Sequence, residues 1–348
     1  MLKKNIITTI LLCLAPFCAW AGDEPQGLNY FLPKTALQVQ VRIEKRTFTP
    51  GRLAAYSERY LRKACQTTPS VTYRVVGVDF YPTAVPDTSR HFTLPLNKKL
   101  IVLNIDCDKN GVLMAVNDKG ETEPAPKPFV AAHKAKPLNP DDFMTADILA
   151  AGSEAKMAEL TAQEIYDIRD SRNQINRGES DEMPKDGAQL RLMLDGLQQQ
   201  ETALLQLFDG TTDIDTTETI ISYVPEKGRQ DDVLFRFSTR LGLLDADDLG
   251  GAPYYVRVND LGEIQKVDLG PTDEKKKEEP AFYVVLPSLI QVAVTDGAKP
   301  LCSKQLYAAQ FGSLQGLPQD LFSKKQTTHI VLSPVTGAVK HLQIQPLK

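Results

Sequence analysis

The chain has 348 residues, with 44 acidic and 40 basic side chains and a formal charge of −4. An acidic chain without a basic stripe lacks the phosphate contacts that supply most nucleic-acid affinity, so DNA and RNA are poor partners. At 42% hydrophobic content it has enough apolar residues to build a core.

The N-terminus reads as a secretory signal peptide over residues 1–21. Lys3 and Lys4 precede an apolar run from Ile6 to Ala15, and Ala19-Trp20-Ala21 supplies small residues for cleavage before Gly22. The run is too short to span a bilayer. Cys18 raises lipidation as an alternative, but Phe17 stands where a lipid-modified cysteine wants a small residue, which argues against a lipoprotein. Cleavage removes two lysines and no acids, leaving 38 basic against 44 acidic side chains and a charge of −6. The expected localisation is periplasm or cell envelope, with no transmembrane segment in the mature chain. Cys65, Cys107 and Cys302 remain after cleavage, so at least one thiol is unpaired. A Cys65–Cys107 disulfide and three small buried hydrophobes are the two readings.

In the first region, 28–117, residues 35–48 alternate Leu37, Val39, Val41 and Ile43 against Gln38, Gln40, Arg42 and Glu44, a half-buried strand. A short amphipathic helix is expected over 53–64. Strands are expected at 71–80, 91–96, 100–105 and 112–117, the last two joined by an Asp108–Gly111 turn. This is read as an N-terminal α+β domain. Residues 118–141 carry five prolines among Lys, Glu and Ala, and read as an extended linker.

Residues 142–209 show two helical stripes. Ala158, Ala162, Ile165, Ile168 and Ile175 recur at three- and four-residue steps, as do Leu190, Met193, Leu194, Leu197, Leu204, Leu205 and Phe208. Gly178 suits the end of the first helix and Pro184 the start of the second. The reading is a central antiparallel helical hairpin around which the chain is organised. Folding it back near residue 182 puts Arg169 opposite Asp195, a candidate interhelix polar pair; the other reading is that Arg169, Arg172, Asp195 and Glu201 are stripe-edge residues with solvated heads. The same arithmetic separates Arg172 from Glu201 by about nine residues, ~13 Å.

Beyond the helices, strands are expected at 219–224, 233–240, 254–258, 264–269, 282–286, 290–294, 306–311, 328–332 and 339–344, with a solvated charged loop at 273–279. Short strands at this spacing suggest a sandwich or an open barrel, read as a C-terminal β-sandwich-like domain over 210–348. The expected fold class is therefore α+β.

These segments resemble a family known as domain of unknown function 4831, secreted proteins of Bacteroides-type bacteria. The matching pieces are LPKTALQVQV (Leu32–Val41), TPGRLAAYSERYLR (Thr49–Arg62), VPD (Val85–Asp87), AGSEAKMAEL (Ala151–Leu160), EIYDIRDSRN (Glu164–Asn173), MPKDGAQLRLMLDGL (Met183–Leu197), FRFSTRLGLLD (Phe235–Asp245) and QFG (Gln310–Gly312). One departure is Pro287-Ser288, where the resemblance implies a proline-glycine opening to the strand near Leu286. The resemblance implies envelope residence and no particular chemistry.

No phosphate-binding loop, dinucleotide glycine pattern, zinc-protease helix or serine-hydrolase elbow is present in the sequence. His91, His133, His329 and His341 are scattered and read as strand or surface histidines. Asp245, Asp247 and Asp248 before Gly250 alternate as calcium ligands do. A full loop, however, would put acids where Leu249 and Val256 stand, and a solvated turn explains the stretch as well. No catalytic or cofactor-binding residue is assigned, and calcium is the one cofactor considered. The leading expectation is a non-enzymatic envelope scaffold that binds another envelope protein or a cell-wall component. The alternatives are a calcium- or glycan-binding module, and a hydrolase whose acidic site assembles only in tertiary structure.

Overall fold

The computed structural model describes residues 27–95, 100–124, 126–134, 136–179, 186–229, 231–266 and 280–346. The expected signal peptide, Pro184 and the charged run at 273–279 lie outside the described residues. Among the described residues, the strands of the first half are β1 (Gly27–Thr49), β2 (Ser70–Pro95), β3 (Ile105–Cys107) and β4 (Leu113–Val116). The helices are α1 (Ser57–Leu61), α2 (Ala146–Leu149), α3 (Glu154–Arg177) and α4 (Gly187–Asp209). After them come β5 (Thr211–Tyr223), β6 (Asp231–Ser238), β7 (Gly242–Leu244), β8 (Ala252–Ile264), β9 (Phe282–Thr295), β10 (Pro300–Leu317), β11 (Gln326–Leu332) and β12 (Val339–Pro346). No described helix is long and apolar enough to cross a membrane.

Among the described residues strand accounts for 48% and helix for 23%, in three antiparallel sheets, one of them a half-barrel. The fold is therefore mostly β, which overturns the α+β expectation built on a central helical hairpin. The sheet orders are β2-β1-β5, β10-β9-β8-β6-β7 and β12-β11-β4-β3. Separate N- and C-terminal β units are overturned with it: β1 takes β5 from beyond the helices as a neighbour, and β4 takes β11. Patterns within each segment cannot show such pairing, because partners lie in distant sequence.

Two long hairpins, β1–β2 and β9–β10, run through the body and serve two cores. In the first core Leu37, Val39, Val41 and Ile43 of β1 meet Val256, Ile290, Val292 and Val294. In the second, Tyr30 and Leu32 meet Leu113, Phe282, Leu317, Ile330 and Leu332. Each fully buried side chain of this size stabilises by about 1.5–3 kcal/mol, so the alternation along β1 fixes which face turns inward. At ~3.3 Å per residue, β1 spans about 75 Å. Between the cores lies a waist, where β1 shifts register at Phe31/Pro33 and β10 shifts between Ala308 and Ser313.

The waist explains why strands expected as separate pieces are continuous. The strands expected at 71–80 and from 91 onward fall in one strand, β2, which runs through Pro82 and Pro86 to Pro95; those at 282–286 and 290–294 fall in one strand, β9, through Pro287. Proline lacks a ladder N–H and is tolerated at a sheet edge or a bulge. β2 is an edge strand, and Pro287 sits where the pairing of β9 with β10 skips from Leu286 to Ser288. Gly312 closes this bulge against β9: a Cβ there would lie 1.9 Å from the Leu286 carbonyl oxygen.

The helices form a side layer. Ala158, Ala162, Ile165 and Ile168 of α3 pack with Leu53, Ile148, Leu204, Leu207 and Phe208. The second expected stripe is buried only in its latter part: Leu204 and Phe208 are buried, whereas Met193 is exposed and its neighbour Leu192 is 73% exposed. Ser153 caps α3 by accepting from Lys156 N–H at 3.2 Å, and Gly178 ends it with a φ of 72°. Gly51 lets the chain after β1 touch α4, since a Cβ there would lie 2.2 Å from the Leu207 carbonyl oxygen.

Candidate functional site

The waist is held by a neutral polar joint. Thr35 N–H donates to Gln310 Oε1 at 3.0 Å, and Gln310 Nε2 donates to Thr35 C=O at 2.9 Å and to Pro225 C=O at 2.8 Å. The Gln310 amide thus supplies a backbone-like rung where the β10 bulge leaves none. Thr35 Oγ1 donates to Val335 C=O and accepts from Ala309 N–H, both at 3.0 Å. Beside it, Asp87 is 1% exposed. It accepts from Ser89 N–H and Oγ, with Lys34 at 3.6 Å and Arg90 at 3.5 Å. A carboxylate so deeply buried survives because it is paired and hydrogen-bonded.

Against this joint opens a cleft of about 450 Å³, within the usual range for ligand sites, which favour junctions between structural units. Its walls come from five separate segments: Pro82 of β2, Glu123 of the linker, Gln265 after β8, Leu306 and Tyr307 of β10, and residues 333–340. The 333–338 turn is rigid. Ser333 N–H donates to Ala338 C=O and Gly337 N–H to Ser333 C=O, both at 2.8 Å, while Val285 N–H donates to Gly337 C=O at 3.0 Å. Lys340 Nζ lies 3.6 Å from Glu123 and 3.8 Å from Glu121, loose pairs that a ligand carboxylate would replace. The lining combines the aliphatic Leu306, Val335 and Val339 with Tyr307, Gln265, Ser333 and Thr336. This is chemistry for holding a ligand.

Arg169 does not pair with Asp195. Its Nε lies 2.6 Å from Glu201 Oε1, and Arg172 Nη1 lies 2.7 Å from Glu201 Oε2. Helical side chains lean toward their own N-terminus. On helices of opposite direction they therefore lean toward one another, and residues offset along the axes meet. Fold-back arithmetic on Cα positions omits that lean.

Asp245, Asp247 and Asp248 lie in the exposed connection from β7 to β8. Asp248 Oδ1 accepts from Gly250 N–H at 2.8 Å, an Asx turn. Arg236 donates from Nε to Ala246 C=O at 2.9 Å and from Nη1 to Gly251 C=O at 3.2 Å. A guanidinium thus already occupies carbonyls of the loop. No group of three or more His, Cys, Asp or Glu side chains gathers for a metal among the described residues. His329 and His341 are diagonal neighbours on one face of the β11–β12 pair, a proximity the sequence did not show. His91 stacks on Phe31 with ring centres 4.6 Å apart.

The three cysteines are free and half-buried, so Cys65 and Cys107 are not joined. Burial, reinforced by neighbouring carboxylates, pushes each thiol up: Asp209 beside Cys65, Asp106 and Asp108 beside Cys107, Asp79 beside Cys302. Raised thiols are weak nucleophiles. Cys65 instead clips the chain to the end of α4, with Ser57 Oγ at 3.0 Å and Asp209 Oδ1 at 3.1 Å. Tyr30, pushed up to about 12 by burial, accepts Tyr283 N–H at 3.0 Å and is likewise structural.

The sequence signalled neither the waist cleft nor its joint as a site; the available hint was that LPKT, VPD and QFG all belong to the resemblance, and these three meet at the waist. No curated protein and no solved structure matches the chain. The model of the family described as Domain of unknown function (DUF4831) matches residues 26–340, and the chain belongs to that family.

Proposed function

We propose that the chain is an exported envelope protein that acts by binding rather than by turnover, and that its waist cleft receives an extended segment of another envelope protein. The observation that carries this reading is the preorganised cleft itself. Its hydrogen-bonded 333–338 turn, its aliphatic lining and its Tyr307, Gln265 and Lys340 suit a peptide, whose backbone needs donors and acceptors and whose side chains need an apolar seat. Export is supported by Lys3, Lys4, the apolar run and Ala19-Trp20-Ala21. The test is capture from envelope extract by the purified chain, compared with Tyr307→Ser/Lys340→Glu and with Leu192→Ser as a distant surface control. The expected result is a protein captured by the wild type and the control and lost by the double variant. Capture indifferent to the double variant, or no capture with a native mass of one chain, overturns the reading.

A further inference from the structure

We propose a second binding site, for a neutral saccharide, on the outer face of β8, β9 and β10. This site stands apart from the waist and does not depend on that cleft's reading. The ladder register aligns two rows of side chains across the three strands. Arg257, Ala293 and Ser303 form one row, and Asn259, Gln291 and Gln305 the next. Rows on one face of a sheet lie about 6–7 Å apart and strands ~4.8 Å apart, so the rows make a grid of donors and acceptors. Ala293 at its centre is too small to fill the space, leaving a depression of about 300 Å³. The opposite face of the same strands is the rigid first core, with Val256, Val258, Ile290, Val292 and Val294.

The lining is rich in amides and hydroxyls, which donate and accept at once, as neighbouring sugar hydroxyls require. Among the described residues, the Asn259 side chain of the lining makes no hydrogen bond, nor does Gln305 just outside it, and Gln291 makes only a 3.4 Å contact to Ser303. Charge at the site is balanced, which favours a neutral ligand. Arg257 is held by Asp231 at 2.7 Å, and Lys299 of the β9–β10 turn stands beside Asp296, whose carboxyl is kept below its ordinary value by the backbone N–H groups of Lys299 and Ala298. Tyr255 flanks the depression: its ring lies 3.8 Å from where a Cβ at Gly297 would stand. Its ring supplies an apolar surface beside the depression on which the C–H face of a sugar can stack.

Calorimetric titration of the full chain with chitotetraose, cellotetraose and tetragalacturonate tests the site, with Ala293→Phe, Asn259→Ala and Gln291→Ala as variants. Neutral tetrasaccharides should bind. Ala293→Phe should abolish binding while the thermal midpoint stays at the wild-type value, and each amide variant should weaken binding several-fold. If Ala293→Phe lowers the midpoint, the surface variants Asn259→Ala and Gln291→Ala decide alone. Chitotetraose against cellotetraose separates an N-acetylated wall glycan from a plain hexose polymer as the source, and binding of either upholds the site. Binding of tetragalacturonate alone, no binding at millimolar sugar, or affinity unmoved by the variants overturns it.

Discussion

The waist and the helical layer are both tied by polar groups, but in opposite ways. At the waist the tie is neutral: the half-buried amide of Gln310 pairs with the backbone of Thr35, which is fully buried. In the helical layer, Glu201 is 6% exposed in its side chain while its partners Arg169 and Arg172 are 38% and 28% exposed, and the tie is ionic. The contrast follows from solvation. A charge is tolerated where its partners' heads still reach water, as for Glu201 and for Asp87 beside the waist, whereas the buried backbone groups of Thr35 are met by a dipole, which costs less to bury.

That contrast can be broken at several points. Gly312→Ala should have the largest effect, because its Cβ meets backbone at 1.9 Å and the bulge must move; a loss of roughly 3 kcal/mol or more in urea unfolding is expected. Gln310→Leu leaves the Thr35 N–H, its carbonyl and the Pro225 carbonyl without partners, a loss of about 2–4 kcal/mol. Its size should be indifferent to salt. Glu201→Gln should cost about 1–3 kcal/mol, reduced from the range for buried pairs because both arginines are partly wet, and that cost should shrink in 1 M salt. Equal salt sensitivity of the Gln310 and Glu201 variants would erase the distinction. Asp195→Ala should change stability by less than about 0.5 kcal/mol, since Arg169 is engaged elsewhere.

A pH series sharpens the same point on β1. Hydrogen bonds from Arg74 and then Arg46 hold the Glu44 carboxyl below its ordinary value. A depressed carboxylate contributes stability above its unfolded value of ~4.3 and loses it as pH falls through the lower folded value. The difference in Tm between wild type and Glu44→Gln should therefore be steady near neutrality and vanish in acid. The smallest effect concerns the Asp245–Gly250 loop. Because Arg236 holds its carbonyls, Tm should be unchanged between calcium and chelator, and a rise with calcium would show that the guanidinium yields.

Local chemistry was legible in the sequence. The inward residues of β1, the apolar stripe of α3, the Gly178 stop and the Asp108 turn all follow from spacing and side-chain type. Pairing over distance was not. Pro82 and Pro287 read as strand ends because a ladder with a bulge cannot be told from a break without its partner. The waist cleft was invisible for the same reason, since Pro82, Glu123, Tyr307 and Lys340 share no local pattern. The Asp245 cluster, conversely, gave a local signal that Arg236 answers from another strand.

The rung between Thr35 and Gln310 joins residues 275 positions apart, and its consequence is one of timing. β1 is made first, yet its closing partner is made near the end, so the ribosome releases most of the chain before the waist can shut. Contacts of such separation make folding slow. Until residue 310 exists the two ends of the waist cannot be latched together, so this joint is a late event of synthesis whatever forms before it.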